Sequence, residues 1–124
     1  MFEQLPIFEK TYQIIRWLYP TINKFPKSQR FVLGQQIENT ALLILTGIIA
    51  ANGERDKVPA LKRVSTLLDT LRILIRLSKD LGFISVKQYV FAAERVNEIG
   101  KMLGGWMKQS ASSAPTPVRG QGRV

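Results

Sequence analysis

Three basic residues in the segment "LDTLRILIRLSKD", residues 68–80, stand four and three positions apart. An α-helix turns about 100° per residue, so Arg72, Arg76 and Lys79 would share one strip along such a helix. Guanidinium and ammonium groups in a row can bind the phosphate groups of a polyanion. The plain alternative is a solvated helix face, which is the commoner reason for basic residues on a single helix.

Composition favours a binding protein over an enzyme. The 124 residues include 18 Lys and Arg against nine Asp and Glu, giving a net charge of +9. An excess of this kind favours anionic partners, either nucleic acid or an anionic membrane surface. The sequence has no Cys and no His, which excludes thiolate and imidazole catalysis and Cys or His metal sites. We therefore predict a chain without catalytic activity, metal or cofactor.

The elements that carry the basic strip are predicted to be four helices joined by short links. The helices are expected to begin near Pro6, Gln29 (with Ser28 as N-cap), Val58 and Val86 (with Ser85 as N-cap), and the last to end near Gln109. Pro20 should kink the first helix or end it early. Four long helices with short links predict an all-α fold, an antiparallel up-down four-helix bundle over residues 1–109. Residues 110–124, rich in Ser, Pro and Gly, are predicted to be a disordered tail.

The helical spacing divides the apolar residues between a core and further surfaces. In the third helix the core stripe comprises Val64, Leu67, Leu68, Leu71, Leu74 and Ile75. In the first helix it comprises Phe8, Tyr12, Ile15, Leu18, Tyr19 and Ile22. The surplus apolar residues, for which we predict contacts between subunits, are Ile73, Leu77, Phe91, Met102 and Trp106. The second helix is apolar almost all round, which also favours a homo-oligomer.

The location predicted from the sequence is the cytoplasm. The first ten residues, "MFEQLPIFEK", lack the basic start and apolar run of a signal peptide. The most apolar run, residues 41–51, is well short of the about 20 residues that cross a bilayer. We therefore expect a soluble protein with no membrane partner. A basic helix lying on anionic lipid stays open as an alternative, although the core already needs the broad apolar stripe of the third helix.

A series of short elements resembles a known family. The segments are "RWLYPTINKFPKSQRFVLGQQIENTALLIL", "LDTLRILIRLSKDLGFIS" and "VNEIGKMLGGWMK". Within them the shared elements are Leu18–Pro20, Phe25–Lys27, Leu33–Gln35, Leu71-Arg72 with Arg76, and Gly100–Trp106. In order and spacing they resemble the accessory variability determinant (Avd) of diversity-generating retroelements. More distantly, they resemble the four-helix-bundle proteins encoded in ribosomal RNA intervening sequences.

The resemblance to Avd implies both an assembly and a function. It implies a four-helix bundle that forms a pentameric barrel with a basic surface, binds RNA or DNA and partners the reverse transcriptase of the element. That complex makes mutagenised cDNA from a template repeat, and the accessory protein is not an enzyme. Arg72 and Arg76 fall at the basic helix positions of the family, which implies a binding role for both. Lys79, Lys27 and Arg30 are added to the predicted nucleic-acid site by their charge and placement alone.

Two further functions fit the same sequence. One is a scaffold or RNA-binding protein of the intervening-sequence type, which shares the Phe-Pro-Lys and Leu-Gly-Gln elements. The other is a plain oligomeric scaffold whose charge serves only solubility. A plain scaffold predicts no salt-sensitive binding of nucleic acid, so binding measurements separate it from the retroelement function.

Overall fold

The computed structural model of the chain describes residues 2–113, and these residues form helices without a strand. A 3-10 turn at Phe2–Gln4 comes first. The α-helices are α1 (Pro6–Ile22), α2 (Lys27–Arg30), α3 (Leu33–Gly53), α4 (Val58–Asp80) and α5 (Val86–Ser113). The four long helices, α1, α3, α4 and α5, confirm the predicted all-α four-helix bundle.

The four long helices pack in the order in which they follow one another along the chain. The contact between α3 and α4 is the most extensive, α4 also packs on α5, and α1 closes the ring against α3 and α5. The rings of Phe25, after α1, and Phe83, between α4 and α5, lie 5.5 Å apart. Two links are therefore at the same end of the bundle, as an up-down arrangement requires.

The predicted core stripe of α4 is confirmed. Val64, Leu68, Leu71 and Ile75 are 1–3% exposed, and Leu67 and Leu74 are half-buried against the same core. The other helices supply mostly Ile, Leu, Val and Ala to this interior. A fully buried Leu or Ile side chain contributes about 1.5–3 kcal/mol relative to an exposed one, so this interior is the main source of stability.

The core face of α1 differs in part from the prediction. Its buried residues are Ile7, Thr11, Ile14, Ile15, Leu18 and Ile22. Tyr12 and Tyr19, predicted to be buried, are 46% and 37% exposed. Thr11 takes an interior place because its hydroxyl donates a hydrogen bond to the carbonyl of Ile7 at 2.8 Å, so no polar atom is left unpaired. Pro20 lies in the last turn of the helix, which ends two residues later.

The chain between α1 and α3 also differs from the prediction of one helix starting near Gln29. Ser28 is not an N-cap, since it lies inside the short α2, and two non-helical residues separate α2 from α3. Gly34, in the first turn of α3, lies close to α1. A Cβ atom at this position would lie 2.6 Å from Ile22 Cγ2 and 3.3 Å from the Gln29 carbonyl oxygen, so α3 approaches α1 where only glycine fits.

The ends of α4 and α5 are capped by specific residues. Gly82 follows α4 with φ +80°, the left-handed conformation that favours glycine at the end of a helix. Ser85 caps α5 as predicted. The Gln88 backbone N–H donates to Ser85 Oγ at 3.0 Å, and the Ser85 N–H donates to Gln88 Oε1 at 2.8 Å.

The far end of α5 lies beyond its predicted position. The helix continues to Ser113, past the predicted end at Gln109, because adding Ala and Ser residues to a formed helix costs little. The predicted tail begins at residue 110. Its first four residues are thus helical, and the rest of that prediction, residues 114–124, lies outside the described residues.

One stretch of the described residues, Lys27–Gly53, passes a test of length and apolarity for crossing a membrane. The core helix of a bundle passes the same test, so the result is weak evidence for a span. In this structure α3 gives eight buried residues to the shared core, Leu33, Gly34, Ile37, Thr40, Ala41, Ile44, Ile48 and Ala51.

Candidate nucleic-acid interface

Arg72 lies along the contact between α4 and α5. Its Nη1 is 2.6 Å from Asp69 Oδ1, one turn earlier on the same helix, and its side chain is 37% exposed. The guanidinium passes directly over Gly100 of α5, where an added Cβ atom would lie 2.5 Å from Arg72 Nη2. The absence of a side chain at Gly100 therefore allows Arg72 to lie against α5.

Arg76 and Lys79 share one carboxylate near the end of α4. Asp80 lies 3.7 Å from Arg76 Nε and 3.1 Å from Lys79 Nζ. Lys79 is the more buried base, with its ammonium 4.7 Å from the centre of the Tyr89 ring, within range of a cation–π interaction. The Arg76 side chain is 64% exposed and is the most accessible cation of the three.

Acidic neighbours reduce the local charge of the basic strip, defined as Arg72, Arg76 and Lys79. With Asp69 and Asp80 the five side chains carry a net charge of only +1. Exposed ion pairs are worth about 1 kcal/mol or less, so a polyanion can displace these carboxylates at small cost. The strip remains suited to phosphate, and it is less positive than the sequence spacing alone indicates.

A cavity of about 120 Å³ opens beside Arg72, between α4 and α5. Its walls are formed by Arg72, Ile75, Tyr89, Ala93, Val96 and Asn97. The sequence analysis selected neither Tyr89 nor Asn97 as a site residue. The signal was available, since Tyr89, Ala93 and Asn97 follow one another at i, i+4 and i+8 and so face α4 together.

The predicted site residues form two groups. Lys27 and Arg30 lie on α2, at the same end of the bundle as Lys79, and Arg30 Nε donates to the Phe25 carbonyl at 3.2 Å. That bond gives Arg30 a role in holding the α1–α2 link. No ion pair or hydrogen bond among residues 2–113 connects α2 to the basic strip.

The predicted interface residues also divide. Ile73 and Leu77 of α4 are 60% and 41% exposed, on the side of the helix away from its core stripe, and Leu42 and Leu43 of α3 are 40% and 54% exposed. We call these four residues the outer apolar face. The remaining predicted interface residues, Phe91, Met102 and Trp106, are half-buried against the core of their own chain.

Phe91 shows why part of the predicted surplus is internal. Its ring centre lies 5.1 Å from that of Trp17 on α1, and the Arg95 guanidinium lies 4.3 Å from the Phe91 ring centre. The ring is thus covered by its own chain on two sides. Sequence periodicity placed Phe91 off the core stripe correctly, but it did not show that Trp17 reaches it.

Acidic side chains elsewhere supply no metal site. Among the described residues no group of three or more carboxylates is close enough to hold a metal ion. On α3, burial raises the pKa of the Glu38 carboxyl above its ordinary value. Glu38 has no ion-pair partner in the part of the chain that the structure describes.

The geometry can be compared with known proteins. No curated protein matches the chain. The family model described as bAvd-like matches residues 5–110, from the residue before α1 almost to the end of α5. The match includes the basic strip, the cavity and the outer apolar face. The chain therefore belongs to the bAvd-like family and is an accessory protein of the Avd type.

Proposed function

We propose that this chain is a non-catalytic accessory protein of a diversity-generating retroelement that binds nucleic acid and partners the reverse transcriptase of the element. Its task would be to support mutagenic cDNA synthesis from the template repeat. Family membership supports the retroelement. The observation that carries nucleic-acid binding is the basic strip, with Arg72, Arg76 and Lys79 on one side of α4 in a chain of net charge +9.

The strip would act through phosphate contacts. Arg76 is the best placed, because its planar group is largely exposed and its nearest carboxylate oxygen is 3.7 Å away. Arginine presents several N–H groups to phosphate oxygens, and each neutralised phosphate releases counterions. Binding of this kind positions a strand without reading its sequence.

Assembly would multiply this weak site. The α4 part of the outer apolar face lies next to the strip, since Ile73 and Arg76 stand three residues apart on the helix. A subunit docked on that face would repeat the strip around a ring, which the resemblance to Avd indicates is a pentamer. Linked weak sites bind one long ligand far more tightly than a single site. The same ring is the surface that we propose for the reverse transcriptase.

A salt titration with a double variant tests the proposal. Replacing Arg72 and Arg76 by Ala should leave the bundle folded, because both groups lie outside the core, and should weaken nucleic-acid binding strongly. The slope of log affinity against log salt should become shallower by about 0.9 for each duplex phosphate that the variant no longer neutralises. Fluorescence anisotropy measures both quantities, and circular dichroism with light scattering verifies fold and assembly.

The matched control removes the same charge from elsewhere. Arg55, in the α3–α4 link, and Lys108, on α5, are both exposed and distant from the strip in sequence. Their double Ala variant should keep more affinity than the strip variant. Equal affinity and equal slope for the wild type and the strip variant would show that the strip is only a solvated face.

The reverse transcriptase partnership has a separate test. Copurification of the enzyme from its own element with the tagged wild-type chain should succeed, and neighbouring genes should include a reverse transcriptase with paired template and variable repeats. A chain that binds nucleic acid but lacks these neighbours would favour the intervening-sequence type of protein. Co-sedimentation with anionic liposomes, without nucleic-acid binding, would favour the membrane-surface alternative.

A further inference from the structure

We propose that the cavity between α4 and α5 holds one unpaired base of a single-stranded nucleic acid, with pyrimidines preferred. This inference rests on the proposed function, since it names the form of nucleic acid that the chain would take. The cavity adjoins the basic strip through Arg72, which belongs to both. A strand lying along the strip would therefore bring its bases to the cavity mouth.

The size of the cavity admits no more than a single ring. It measures about 120 Å³, less than the roughly 150 Å³ of an apolar protein cavity that accepts benzene, so a base would enter edge first and stay partly outside. A pyrimidine base is one six-membered ring with small substituents, whereas a purine carries a second fused ring. A base stacked inside a duplex cannot enter, because it would first have to leave its neighbours.

The walls offer both surfaces that a base needs. Ile75, Ala93 and Val96 are apolar, and with the Tyr89 ring they can cover the flat faces of a base. Arg72 and Asn97 can hydrogen-bond to its edge. An amide both donates and accepts, and a guanidinium donates to carbonyl and ring-nitrogen acceptors. A site for phosphate alone would not need the apolar walls or the ring.

The ion pair of Arg72 with Asp69 leaves Arg72 able to bind a neutral ligand as well as a phosphate. Asp69 already takes one N–H group of Arg72 at 2.6 Å and compensates its charge. The remaining N–H groups can still donate to the uncharged acceptors of a base. Arg76, which is 64% exposed, and Lys79 lie on the following turns, where they can contact neighbouring phosphates of the strand. The strip and the cavity would then bind one nucleotide unit together.

Three labelled ligands of equal length separate the base from the backbone. They are an oligothymidine strand, the same strand with abasic sites throughout, and a duplex, each measured by fluorescence anisotropy at fixed salt. We expect the wild type to bind oligothymidine about fivefold to hundredfold more tightly than the abasic strand, from about 1–3 kcal/mol for a stacked base. An oligoadenosine strand should bind less tightly than oligothymidine.

Two variants close the cavity or remove its polar edge without changing the net charge. Ala93→Leu fills the cavity, and Asn97→Ala removes the amide, which keeps the test available if the first variant does not fold. Both should lose preference for oligothymidine over the abasic strand and keep their affinity for the abasic strand. Gln13→Ala, an exposed amide on α1, is the control and should keep the wild-type preference.

The outcomes distinguish this site from the proposed function. If the wild type binds all strands equally and with normal salt dependence, the cavity proposal is wrong and the phosphate-binding function stands. If both folded cavity variants keep the wild-type preference, the base is read elsewhere and the cavity proposal is again wrong. If no strand binds with salt dependence, the proposed function itself fails.

Discussion

The two exposed sides of α4 differ in chemistry: one carries paired charges and the other carries apolar side chains in contact with water. On the basic side, Arg72, Arg76 and Lys79 are each within 4 Å of a carboxylate of their own chain. On the outer side, Ile73 and Leu77 are 60% and 41% exposed in the described chain. Water and weak ion pairs satisfy the charges, whereas water does not satisfy the apolar groups.

Under the proposed function, the two sides would act at different stages, one in assembly and the other in ligand binding. The exposed apolar groups favour a permanent cover, since each square ångström removed from water contributes about 25 cal/mol. The basic side can exchange carboxylates for phosphates at a small cost in free energy, so its ligands can bind reversibly. Assembly should therefore depend on the outer apolar face and ligand binding on the basic strip, and the two should be separable by mutation.

The largest effect is expected from charging the outer apolar face. Leu43→Glu combined with Ile73→Glu would place two unpaired carboxylates in the subunit interface that we propose. Each costs several kcal/mol if it is buried, so association should weaken by at least about a thousandfold. Light scattering should then give a mass near 14.0 kDa at micromolar concentration, and a larger mass for the wild type.

Val86→Glu is the matched control for that change. Val86 is 68% exposed at the start of α5, outside the outer apolar face, and an acidic residue is favourable in the first turn of a helix. This variant should assemble as the wild type does. A wild type of 14.0 kDa, or an unchanged mass for the double variant, would contradict the interface.

A gain of binding is expected when the strip loses its shared acid. Asp80→Asn frees both Arg76 and Lys79 from their carboxylate. Unit charges 4 Å apart interact by about 1 kcal/mol in water, so affinity for nucleic acid should rise about fivefold and the salt dependence should steepen. Anisotropy titrations at two salt concentrations provide the measurement.

The helix itself should tolerate the Asp80 change. A carboxylate in the last turn opposes the helix dipole, so its removal should not lower the melting temperature. The control is Glu94→Gln, which removes an exposed carboxylate from α5, on the side of the bundle where Arg95 lies. If both variants raise affinity equally, the effect comes from net charge and not from the strip.

The sequence was sufficient for most of the architecture because helices record their buried face in a regular spacing. Val64, Leu68, Leu71 and Ile75 follow that spacing and are buried. Ser85 was identifiable as a cap because its partner Gln88 stands three residues later. Such signals are local in the sequence, so they can be interpreted without knowing which helices pack together.

The errors arose where a distant residue decides the outcome. The predicted start of the second helix near Gln29 was wrong. The close fit of Gly34 against Ile22, which lies 2.6 Å from where a Cβ would be, is a contact between two helices that spacing along the chain does not record. The cover that Trp17 gives to Phe91 and the proximity of Gly100 to Arg72 also depend on how the bundle packs, so the sequence did not predict these contacts. The basic strip was visible in the sequence, while the cavity beside it was not.

The effect of the position of Arg72 on binding can be measured separately from the effect of its charge. Gly100→Ala keeps every charge but adds a Cβ atom 2.5 Å from Arg72 Nη2, so the guanidinium must move. Its flexible end can move at small cost. Stability should change by less than about 1 kcal/mol, while binding of single strands should weaken a few-fold.

Gly104 on α5 provides the control for helix propensity. A Cβ atom there meets nothing within 4 Å, so Gly104→Ala should stabilise the protein by about 0.5–1 kcal/mol and leave binding unchanged. Thermal melts and anisotropy on both variants make the comparison. Identical binding by Gly100→Ala and the wild type would show that the position of Arg72 is unimportant.

The smallest expected effect is a pH-dependent change in stability caused by Glu38, a carboxylic acid without the basic partners that Asp69 and Asp80 have. Burial raises the pKa of Glu38 on α3 from the ordinary 4.5, so the folded state binds its proton more tightly than the unfolded state. This stabilising contribution is complete below pH 4.5 and is lost as the pH rises through the folded pKa.

Glu38→Gln stays neutral, so it should match the wild type in acid and exceed its stability at neutral pH, by less than the gain from Gly104→Ala. Urea unfolding at pH 4 and pH 7 measures the difference, with Glu54→Gln, an exposed position, giving the baseline for any Glu-to-Gln change. A difference from the wild type that is the same at both pH values would mean that the charge of Glu38 has no part in it.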